Sequence, residues 1–261
     1  MRAPRVDPAE TGPFELGQGD DACLLVHGFT GTPWDVRPLA EGLAGLGYYV
    51  RAVRLPGHGG DPDALAQVTH RDWEQAVEDA LLSLGNFRHV FVAGLSMGAL
   101  LALTLAAKHP DRVHGLALLS PALRLRDPRL RLARWLRRWP VLQIAAPRIR
   151  KRGTDIDDPR ERAHAPLVAY IPTARLNDLW TVQDAARAAL PRVQAPALVA
   201  ISRQDHVIDA AGAGRELARG LSASPMVRFI ELLEGCHVMT RDRGRALLID
   251  EVANFFARLR A

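Results

Sequence analysis

The fold is decided by residues 89–108, HVFVAGLSMGALLALTLAAK. Its first part, His89–Ala93, is a β-branched and aromatic run typical of a buried strand, whereas Met97–Lys108 is rich in strong helix formers. Between them lies a glycine-bounded turn, Gly94–Gly98, with the pattern G-x-S-x-G. The eighteen uncharged residues Val90–Ala107 reach the length of a membrane span. The break at the turn instead predicts a strand, a sharp turn and a buried helix.

The same alternation of short apolar runs and amphipathic helices extends along most of the chain. It is typical of βαβ units whose right-handed crossovers build a doubly wound, mostly parallel sheet, so we predict the α/β class. The predicted strands are Ala22–Val26, Tyr49–Val53, His89–Ala93, Val113–Ser120, Ala197–Ser202 and Met226–Leu233. The predicted helices are Val36–Gly47, Arg71–Leu84, Met97–Lys108, Ala210–Gly220 and Gly244–Leu259.

The alternation fails after the fourth predicted strand, between Pro121 and Val193. This stretch is rich in proline and shows short helical patterns but no convincing strand, so we predict a small helical cap over 121–193. The α/β core then comprises residues 1–120 and 194–261. An insertion at this point lies over the carboxyl ends of the strands, where open α/β sheets place their ligands.

The G-x-S-x-G turn has the sequence of a nucleophile elbow. Only residues without bulk fit two positions before and after a serine that is strained in a tight strand-to-helix turn. Such a turn lifts the Ser96 hydroxyl above the sheet. It also directs the backbone N–H of Met97, at the start of a helix, towards a carbonyl oxygen that gains negative charge.

A nucleophilic serine needs a base and an acid. In hydrolases of this topology the chain order is serine, acid, histidine, and of the nine histidines His237 follows the last predicted strand at the edge where Ser96 emerges. Asp205 follows the preceding strand and can orient His237. Asp209 is the alternative acid, although its position suits the N-cap of the next helix. We expect His206 to pack or form a hydrogen bond behind the acid.

A second oxyanion donor is predicted in the loop His27-Gly-Phe-Thr-Gly31, after the first long apolar strand. Its glycines let the backbone approach the nucleophile, so the N–H of Phe29 can join that of Met97. We expect His27 to brace this loop. His58, in the sharp loop Pro56-Gly-His-Gly59, is interpreted as scaffold, with substrate contact as the alternative.

Five motifs, HGFTG, PGHG, GLSMG, SRQDHV and GCHV, in this order and spacing, resemble those of the α/β-hydrolase superfamily, in particular small bacterial carboxylesterases and monoacylglycerol lipases. The resemblance runs from about Leu24 to the carboxy terminus. It implies Ser96, Asp205 and His237 as a catalytic triad and Phe29 and Met97 as oxyanion donors. It further implies a small helical cap, carboxylic esters with short to medium acyl chains as substrates, and no metal or organic cofactor.

One element of the resemblance is incomplete. Monoacylglycerol lipases of this type use a cap glutamate to hold the glycerol head, after a motif like Gly153-Thr-Asp-Ile156. Here that motif is followed by Asp157-Asp-Pro-Arg-Glu161, which gives the glutamate no clear counterpart. The resemblance therefore leaves a preference for monoacylglycerols open.

Length and composition fit this interpretation. The chain has 261 residues, of which 48% are hydrophobic and 24% charged, enough for one globular domain with an insertion and no stabilising metal or disulfide. Its two cysteines, Cys23 and Cys236, lie in apolar stretches and are predicted to be small buried hydrophobes rather than a disulfide pair. The amino terminus has no apolar core of a signal peptide, so we expect a cytoplasmic protein.

The net charge of +5 is concentrated in the predicted cap. Residues 124–152 contain ten arginines and one lysine against a single acid, and Leu132, Trp135, Leu136 and Trp139 recur at helical spacing among them. One interpretation is a lid that makes transient contact with an anionic lipid interface. We favour another, a cap helix that packs its apolar face over the active site. Without a recognised reading module, no specific nucleic-acid binding is expected.

These features predict a serine ester hydrolase that works through an acyl-enzyme on a small-molecule ester. The same triad can also run acyl transfer or the hydrolysis of thioesters or amides, because the pocket rather than the fold selects the reaction. A noncatalytic binding protein on this fold is the remaining alternative. The sequence does not indicate the oligomeric state.

Overall fold

The structure is a computed structural model, which describes residues 8–59, 62–136, 147–151, 153–166 and 168–260. The strands are β1 (Phe14–Leu16), β2 (Asp21–Val26), β3 (Tyr49–Val53), β4 (His89–Leu95), β5 (Gly115–Leu119), β6 (Arg148–Arg150), β7 (Tyr170–Pro172), β8 (Ala197–Ser202) and β9 (Val227–Leu232). The helices are α1 (Pro8–Thr11), α2 (Arg37–Gly45), α3 (Pro62–Ala66), α4 (His70–Ser83), α5 (Met97–Lys108), α6 (Pro128–Leu136), α7 (Pro159–His164), α8 (Thr173–Ala189), α9 (Ala210–Gly220) and α10 (Arg245–Arg258). The predicted α/β class is confirmed.

The main sheet has seven strands in the order β1-β3-β2-β4-β5-β8-β9. All neighbouring pairs run parallel except β1 with β3, where Phe14 lies opposite Ala52 in an antiparallel pair. The six predicted strands are present, with bounds shifted by up to two residues. The antiparallel β1 is absent from the sequence-based prediction, because three residues are too few to show a period.

Helices cover both faces of the sheet, as the continuous apolar character of the central strands requires. Alternate residues of β2 face opposite sides: Leu24 contributes to the core under α4, α5 and α8, whereas Leu25 contributes to the core under α2 and α10. Packing on both sides fixes the register of each strand. It thereby fixes where the loops at the carboxyl edge emerge.

The insertion after β5 contains α6, β6, α7 and β7. The expectation that it holds no strand was wrong, because β6 and β7 form a two-stranded antiparallel sheet in which Ile149 lies opposite Ile171. Both strands have only three residues, and β7 ends in a proline, so neither shows a strand pattern in the sequence. The later helix α8 packs against α5, the helix of the elbow. A division between core and cap at residues 121 and 193 stays a prediction.

The apolar face predicted for the basic helix does not pack over the site. Leu132 is 59% exposed and Trp135 75% exposed, while Leu130 and Ala133, on the other side of α6, pack against the core. The helix is therefore rotated relative to the prediction, since Arg134 points inward and donates a hydrogen bond to Gln183. The side chain of Leu136 and all of Trp139 lie outside the described residues.

Cys23 and Cys236 are both buried and form no disulfide, as predicted. No described helix is long and apolar enough to cross a membrane, which agrees with the division of residues 89–108 into β4, turn and α5. The cytoplasmic location stays a prediction.

Candidate active site

The elbow places Ser96 at the junction of β4 and α5 with a left-handed backbone, φ 58° and ψ −112°. Its N–H donates to the Leu119 carbonyl of the neighbouring strand, at 2.8 Å. A Cβ on Gly94 would stand 2.3 Å from the Gly98 carbonyl, and one on Gly98 would stand 2.1 Å from the Val26 oxygen. Both neighbours are backbone, so only glycine fits, and the strained serine is held by its surroundings.

The structure brings Ser96, His237 and Asp205 together in one hydrogen-bonded line. His237 Nε2 lies 2.8 Å from Ser96 Oγ, and His237 Nδ1 lies 2.7 Å from Asp205 Oδ2. All three side chains are buried, and each comes from a loop at the carboxyl edge of the main sheet. The arrangement has the geometry in which an imidazole can take the proton of a serine hydroxyl while a carboxylate fixes its tautomer.

Asp205 is held as an ionised acceptor. Its Oδ1 accepts hydrogen bonds from the N–H groups of Val207, at 2.8 Å, and Ile208, at 2.9 Å. Burial alone would raise the pKa of this carboxyl, whose residue is only 2% exposed, but the charge and hydrogen bond of His237 together with these two amides hold the pKa below its ordinary value. The carboxylate is therefore available to stabilise an imidazolium on His237.

Asp209 and His206 do not take part in the hydrogen-bonded line formed by Ser96, His237 and Asp205. The Asp209 carboxylate accepts from the N–H of Gly212 at 2.9 Å as the N-cap of α9, the position that its sequence suggests. His206 is exposed and forms its hydrogen bond with Asp155, at 2.9 Å from Nδ1 to Oδ1, rather than with Asp205.

The loop His27–Gly31 approaches the elbow closely. A Cβ on Gly28 would lie 3.1 Å from the Cβ of Ser96 and 3.7 Å from its Oγ. The loop turns tightly, with the N–H of Gly31 bonded to the Gly28 carbonyl at 3.0 Å and Thr30 in the left-handed region at φ 60°. The loop thereby lies beside the nucleophile, and Phe29 lines the cavity next to Ser96.

Two neutral histidines support this loop. Burial holds the pKa of His27 well below its ordinary value; its Nδ1 donates to the Gly28 carbonyl at 2.9 Å and its Nε2 accepts from the N–H of Leu55 at 3.1 Å. His58 packs edge-on against the Phe29 and Trp73 rings, and burial lowers its pKa to about 4. His27 braces the loop as expected, and His58 takes the scaffold position.

A cavity of about 200 Å³ opens beside Ser96 and His237. One part of its wall is apolar and comes mainly from the cap and α8: Leu125, Leu130, Ile171, Leu176, Leu179 and Val207. The other part is polar and includes Thr30, Asp35, Lys151, Thr154 and Asp155. An apolar wall with a few polar groups is typical of small-molecule sites, and here it suits an acyl chain at one end and a polar group at the other.

Lys151, next to β6, links the cap to the loop His27–Gly31. Its ammonium donates to Thr30 Oγ1 at 2.8 Å. Burial lowers the pKa of Lys151, and nearby Asp35 counters part of that effect. Asp35 is 8% exposed, and burial raises its pKa. A cap residue thus determines the surroundings of the residue that follows Phe29.

Two aspartates, half-buried Asp155 and fully buried Asp242, connect the cap to the His237 loop. Asp155 Oδ2 accepts from the backbone N–H of His237 at 3.1 Å. The carboxylate of Asp242 accepts from the N–H groups of Cys236 at 2.7 Å, Asp157 at 2.7 Å and Asp158 at 2.9 Å. The position of His237 therefore depends on the segment that follows β6 as well as on its own loop.

Glu161, the last residue of the segment compared with the cap glutamate of monoacylglycerol lipases, does not line the cavity. Its carboxylate pairs with Arg241 at 3.2 Å and with Arg245 at 2.9 Å, beside α10. Its partners belong to the core, so Glu161 anchors α7 instead of facing the site.

Sequence reasoning missed Lys151, Asp35, Asp155 and Asp242. In the sequence Lys151 is only one member of a basic run, and Asp155 only one member of a motif. Asp155 and Asp242 accept backbone N–H groups 82 to 85 positions away, and such pairing leaves no local pattern. The Asp35 carboxylate accepts from the N–H of Thr32, three residues earlier, which in the sequence resembles an ordinary helix cap. The single usable signal is the motif at Gly153–Ile156, which the resemblance singles out.

Comparison with known proteins identifies the family of the chain. The family described as serine aminopeptidase, S33, matches residues 17–244. A thermostable monoacylglycerol lipase of Bacillus sp. (strain H-257) is 34% identical over 258 residues, covering 94% of each chain. A carboxylesterase of Bacillus subtilis (strain 168) is 26% identical and covers 95% of this chain and 96% of that protein.

Solved structures agree as well. One described as LipS and LipT, two metagenome-derived lipolytic enzymes, superimposes with a TM-score of 0.87 at 30% identity, covering 95% of this chain and 98% of that one. A monoacylglycerol lipase of Paleococcus ferrophilus, 19% identical, shares the fold with a TM-score of 0.77 over 95% of this chain and 98% of its own. The chain therefore belongs to the serine aminopeptidase S33 family of α/β-hydrolases.

Proposed function

We propose that this carboxylic ester hydrolase works through an acyl-enzyme on Ser96. The observation that carries the proposal is the line from Ser96 Oγ through His237 to Asp205, with contacts of 2.8 Å and 2.7 Å. Ser96 attacks the ester carbonyl while His237 takes its proton, and the N–H groups of Phe29 and Met97 stabilise the oxyanion. His237 then passes the proton to the leaving alcohol, and the reaction repeats with water as nucleophile.

The cavity supports monoesters with a short to medium acyl chain as substrates. Its apolar wall can bury a chain of limited length, because the volume beside Ser96 is only about 200 Å³. The names of the relatives, a monoacylglycerol lipase and a carboxylesterase, fit such substrates. Glycerol recognition would have to differ from a glutamate-based one, since Glu161 is paired with Arg241 and Arg245.

Hydrolysis of p-nitrophenyl esters of increasing acyl length tests the proposal. We expect turnover with an optimum at short to medium length, and a loss of roughly 10⁴-fold or more in kcat for Ser96→Ala. The matched control is Ser83→Ala, which removes a hydroxyl bonded to the Ala80 carbonyl on α4 and leaves turnover intact. Full activity of Ser96→Ala would disprove the mechanism.

Amide hydrolysis is a second candidate, because the family that matches the chain is described as a serine aminopeptidase. The same acyl-enzyme forms from an amide, but His237 must then protonate an amine. Comparing matched ester and anilide substrates separates the two reactions. We expect the ester to be preferred, and faster cleavage of the anilide would favour the peptidase.

We also propose that α6 makes transient contact with anionic lipid. Leu132 and Trp135 are exposed, and Arg129 and Arg131 beside them are exposed as well, a combination that suits an interface with negative headgroups. Co-sedimentation with liposomes tests this: anionic vesicles should bind the protein, and Trp135→Ser should weaken binding. Leu247→Ser, at another exposed leucine on α10, is the control. Equal binding to neutral and anionic vesicles would contradict the proposal.

A further inference from the structure

Three side chains that can ligate a metal converge beside the loop that carries His237. They are Asp155 from the cap, His206 from the loop after β8 and Cys236 from the loop after β9. One ligand atom of each lies within 4.8 Å of the other two. None of the three takes a step in the proposed hydrolysis, so the cluster needs an explanation of its own.

The carboxylate of this cluster is already held in place. Asp155 Oδ2 accepts from the backbone N–H groups of His206 at 3.0 Å and His237 at 3.1 Å, while its Oδ1 lies 2.9 Å from His206 Nδ1. This oxygen and imidazole nitrogen are directly hydrogen-bonded, so a metal ion can bind both by replacing that hydrogen bond after a small displacement of the ring. The His206 side chain is 65% exposed, so the ring has room to move.

The surroundings of the thiol attract a cation. Cys236 is buried, its N–H donates to the Asp242 carboxylate at 2.7 Å, and its side chain lies in the same cluster as the Asp155 carboxylate. Two carboxylates beside the thiol favour a divalent cation at this position. A thiol binds such an ion as the thiolate, so metal binding releases a proton.

The donor set selects the ion. A thiolate and an imidazole with one carboxylate are ligands for Zn²⁺, whereas Mg²⁺ and Ca²⁺ require oxygen ligands throughout. The His206 side chain is 65% exposed, which gives an ion a route from solvent and lets water complete its ligands. We propose that Asp155, His206 and Cys236 form a binding site for Zn²⁺, and that Zn²⁺ bound there inhibits the enzyme.

Binding is balanced by proton release. The Cys236 thiol loses its proton to solvent and binds as the thiolate. The proton that His206 Nδ1 donates to Asp155 is exchanged through solvent to Nε2, and the neutral ring binds through Nδ1. Asp155 contributes Oδ1 and exchanges a hydrogen bond from His206 for a bond to the metal. No oxidation or reduction takes place.

Inhibition follows from the position of the ligands, and this part rests on the proposed role of His237. Cys236 precedes His237 in the chain, and Asp155 Oδ2 accepts from the His237 N–H. A metal that draws Cys236 and Asp155 together displaces the backbone that carries the imidazole. The 2.8 Å contact between His237 Nε2 and Ser96 Oγ then lengthens, so kcat falls.

The binding test uses the full chain, freed of metal, titrated with Zn²⁺ alone by calorimetry and with Co²⁺ as a spectroscopic probe. We expect one Zn²⁺ per chain and a thiolate-to-Co²⁺ charge-transfer band. Cys236→Ser should abolish the band, and Cys236→Ser and His206→Gln should each weaken Zn²⁺ binding by about 10- to 100-fold or more. Cys23→Ala, which removes the fully buried cysteine of β2, should change neither. Absence of the band in the wild type, or its persistence in Cys236→Ser, overturns the site.

The inhibition test measures ester hydrolysis against Zn²⁺ concentration. We expect the wild type to lose activity as Zn²⁺ saturates the site and Cys236→Ser to need at least about 10-fold more Zn²⁺ for the same loss. Identical inhibition curves overturn the inhibitory role. Ser96→Ala should bind Zn²⁺ as the wild type does, so the binding test stands even if the chain proves to hydrolyse no ester.

Discussion

The elbow and the cap segment 147–166 both shape the active site, but by opposite means. The elbow positions Ser96 with backbone alone, because Gly94 and Gly98 let β4 and α5 approach to distances that no side chain allows. The cap segment acts through charged side chains that reach across the site to Thr30 and His237. The nucleophile is therefore placed by local backbone constraints, whereas His237 and the polar groups around the site are held by contacts between segments distant in sequence.

From this difference we expect substitutions in the two regions to affect turnover and stability to different extents. Changes at the core loops that supply Ser96, Asp205 and His237 should be severe, and changes at the cap should be modest. Four variants test the ranking, in order of decreasing effect.

Asp205→Asn should have the largest effect on turnover. An amide in place of the carboxylate that lies 2.7 Å from His237 Nδ1 favours the wrong tautomer of the imidazole and cannot stabilise its charge. We expect kcat to fall about 10⁴-fold with little change in folding. Asp209→Asn, at the N-cap of α9, is the control and should retain activity. A loss of less than about 10-fold would remove Asp205 from the mechanism.

Gly98→Ala should destabilise the fold at the elbow. The new Cβ would stand 2.1 Å from the Val26 oxygen and 2.7 Å from the His27 oxygen, both backbone atoms that cannot move aside. We expect a loss of at least about 3 kcal/mol in the free energy of unfolding, measured by urea denaturation. Gly45→Ala on α2, where nothing lies within 4 Å of the new Cβ, should be neutral or stabilising. Equal stability of both variants would show that the elbow can accommodate a side chain at Gly98.

His58 should make the core sensitive to acid. Its pKa is about 4 in the folded chain against an ordinary value of 6.5, so between these values the unfolded state binds the additional proton. Stability therefore rises with pH through this window, and on the order of 3 kcal/mol is lost as the pH falls from 6.5 to 4. The free energy of unfolding of His58→Gln, measured over the same range, should fall less steeply. Parallel curves for the two proteins would exclude His58 as the cause.

Lys151→Met should have the smallest effect of the four. It removes the hydrogen bond to Thr30 Oγ1 without changing Ser96, so the loop His27–Gly31 is held less firmly. We expect kcat to fall roughly 10-fold with a smaller change in KM. Arg150→Met, at an exposed position of β6, should leave kcat unchanged. An effect as large as that of Asp205→Asn would contradict the expectation that changes in the cap are milder than changes in the core loops.

The core and the grouping of Ser96, Asp205 and His237 could be predicted because each depends on neighbours in sequence. Glycines bound the elbow, and the chain order of strands puts three loops at one edge. The structure of the cap could not be predicted, because its contacts join residues that are distant in sequence. The strands β6 and β7 have three residues each and pair across about twenty intervening residues, so neither shows a period.

Contacts with the core account for part of the arginine excess in the cap. Several cap arginines pair with the core: Arg126 donates to the Asp205 carbonyl at 2.8 Å, and Arg148 pairs with Asp63 at 2.7 Å. The number of these charges is evident from the sequence, but their partners cannot be predicted, because the partners lie in other segments of the chain. The rotation of α6, which leaves Leu132 and Trp135 exposed, follows from the inward contact of Arg134 with Gln183.

The carboxylate of Asp242 has a consequence for local unfolding. It accepts from the amides of Cys236, Asp157, Asp158 and Arg243, all within 2.9 Å. Amides that share one acceptor lose their protection together, so these four should show the same free energy of opening in hydrogen exchange, as one cooperative unit. The start of α7 and the loop that carries His237 would then open as a single piece, although some eighty residues of chain separate them.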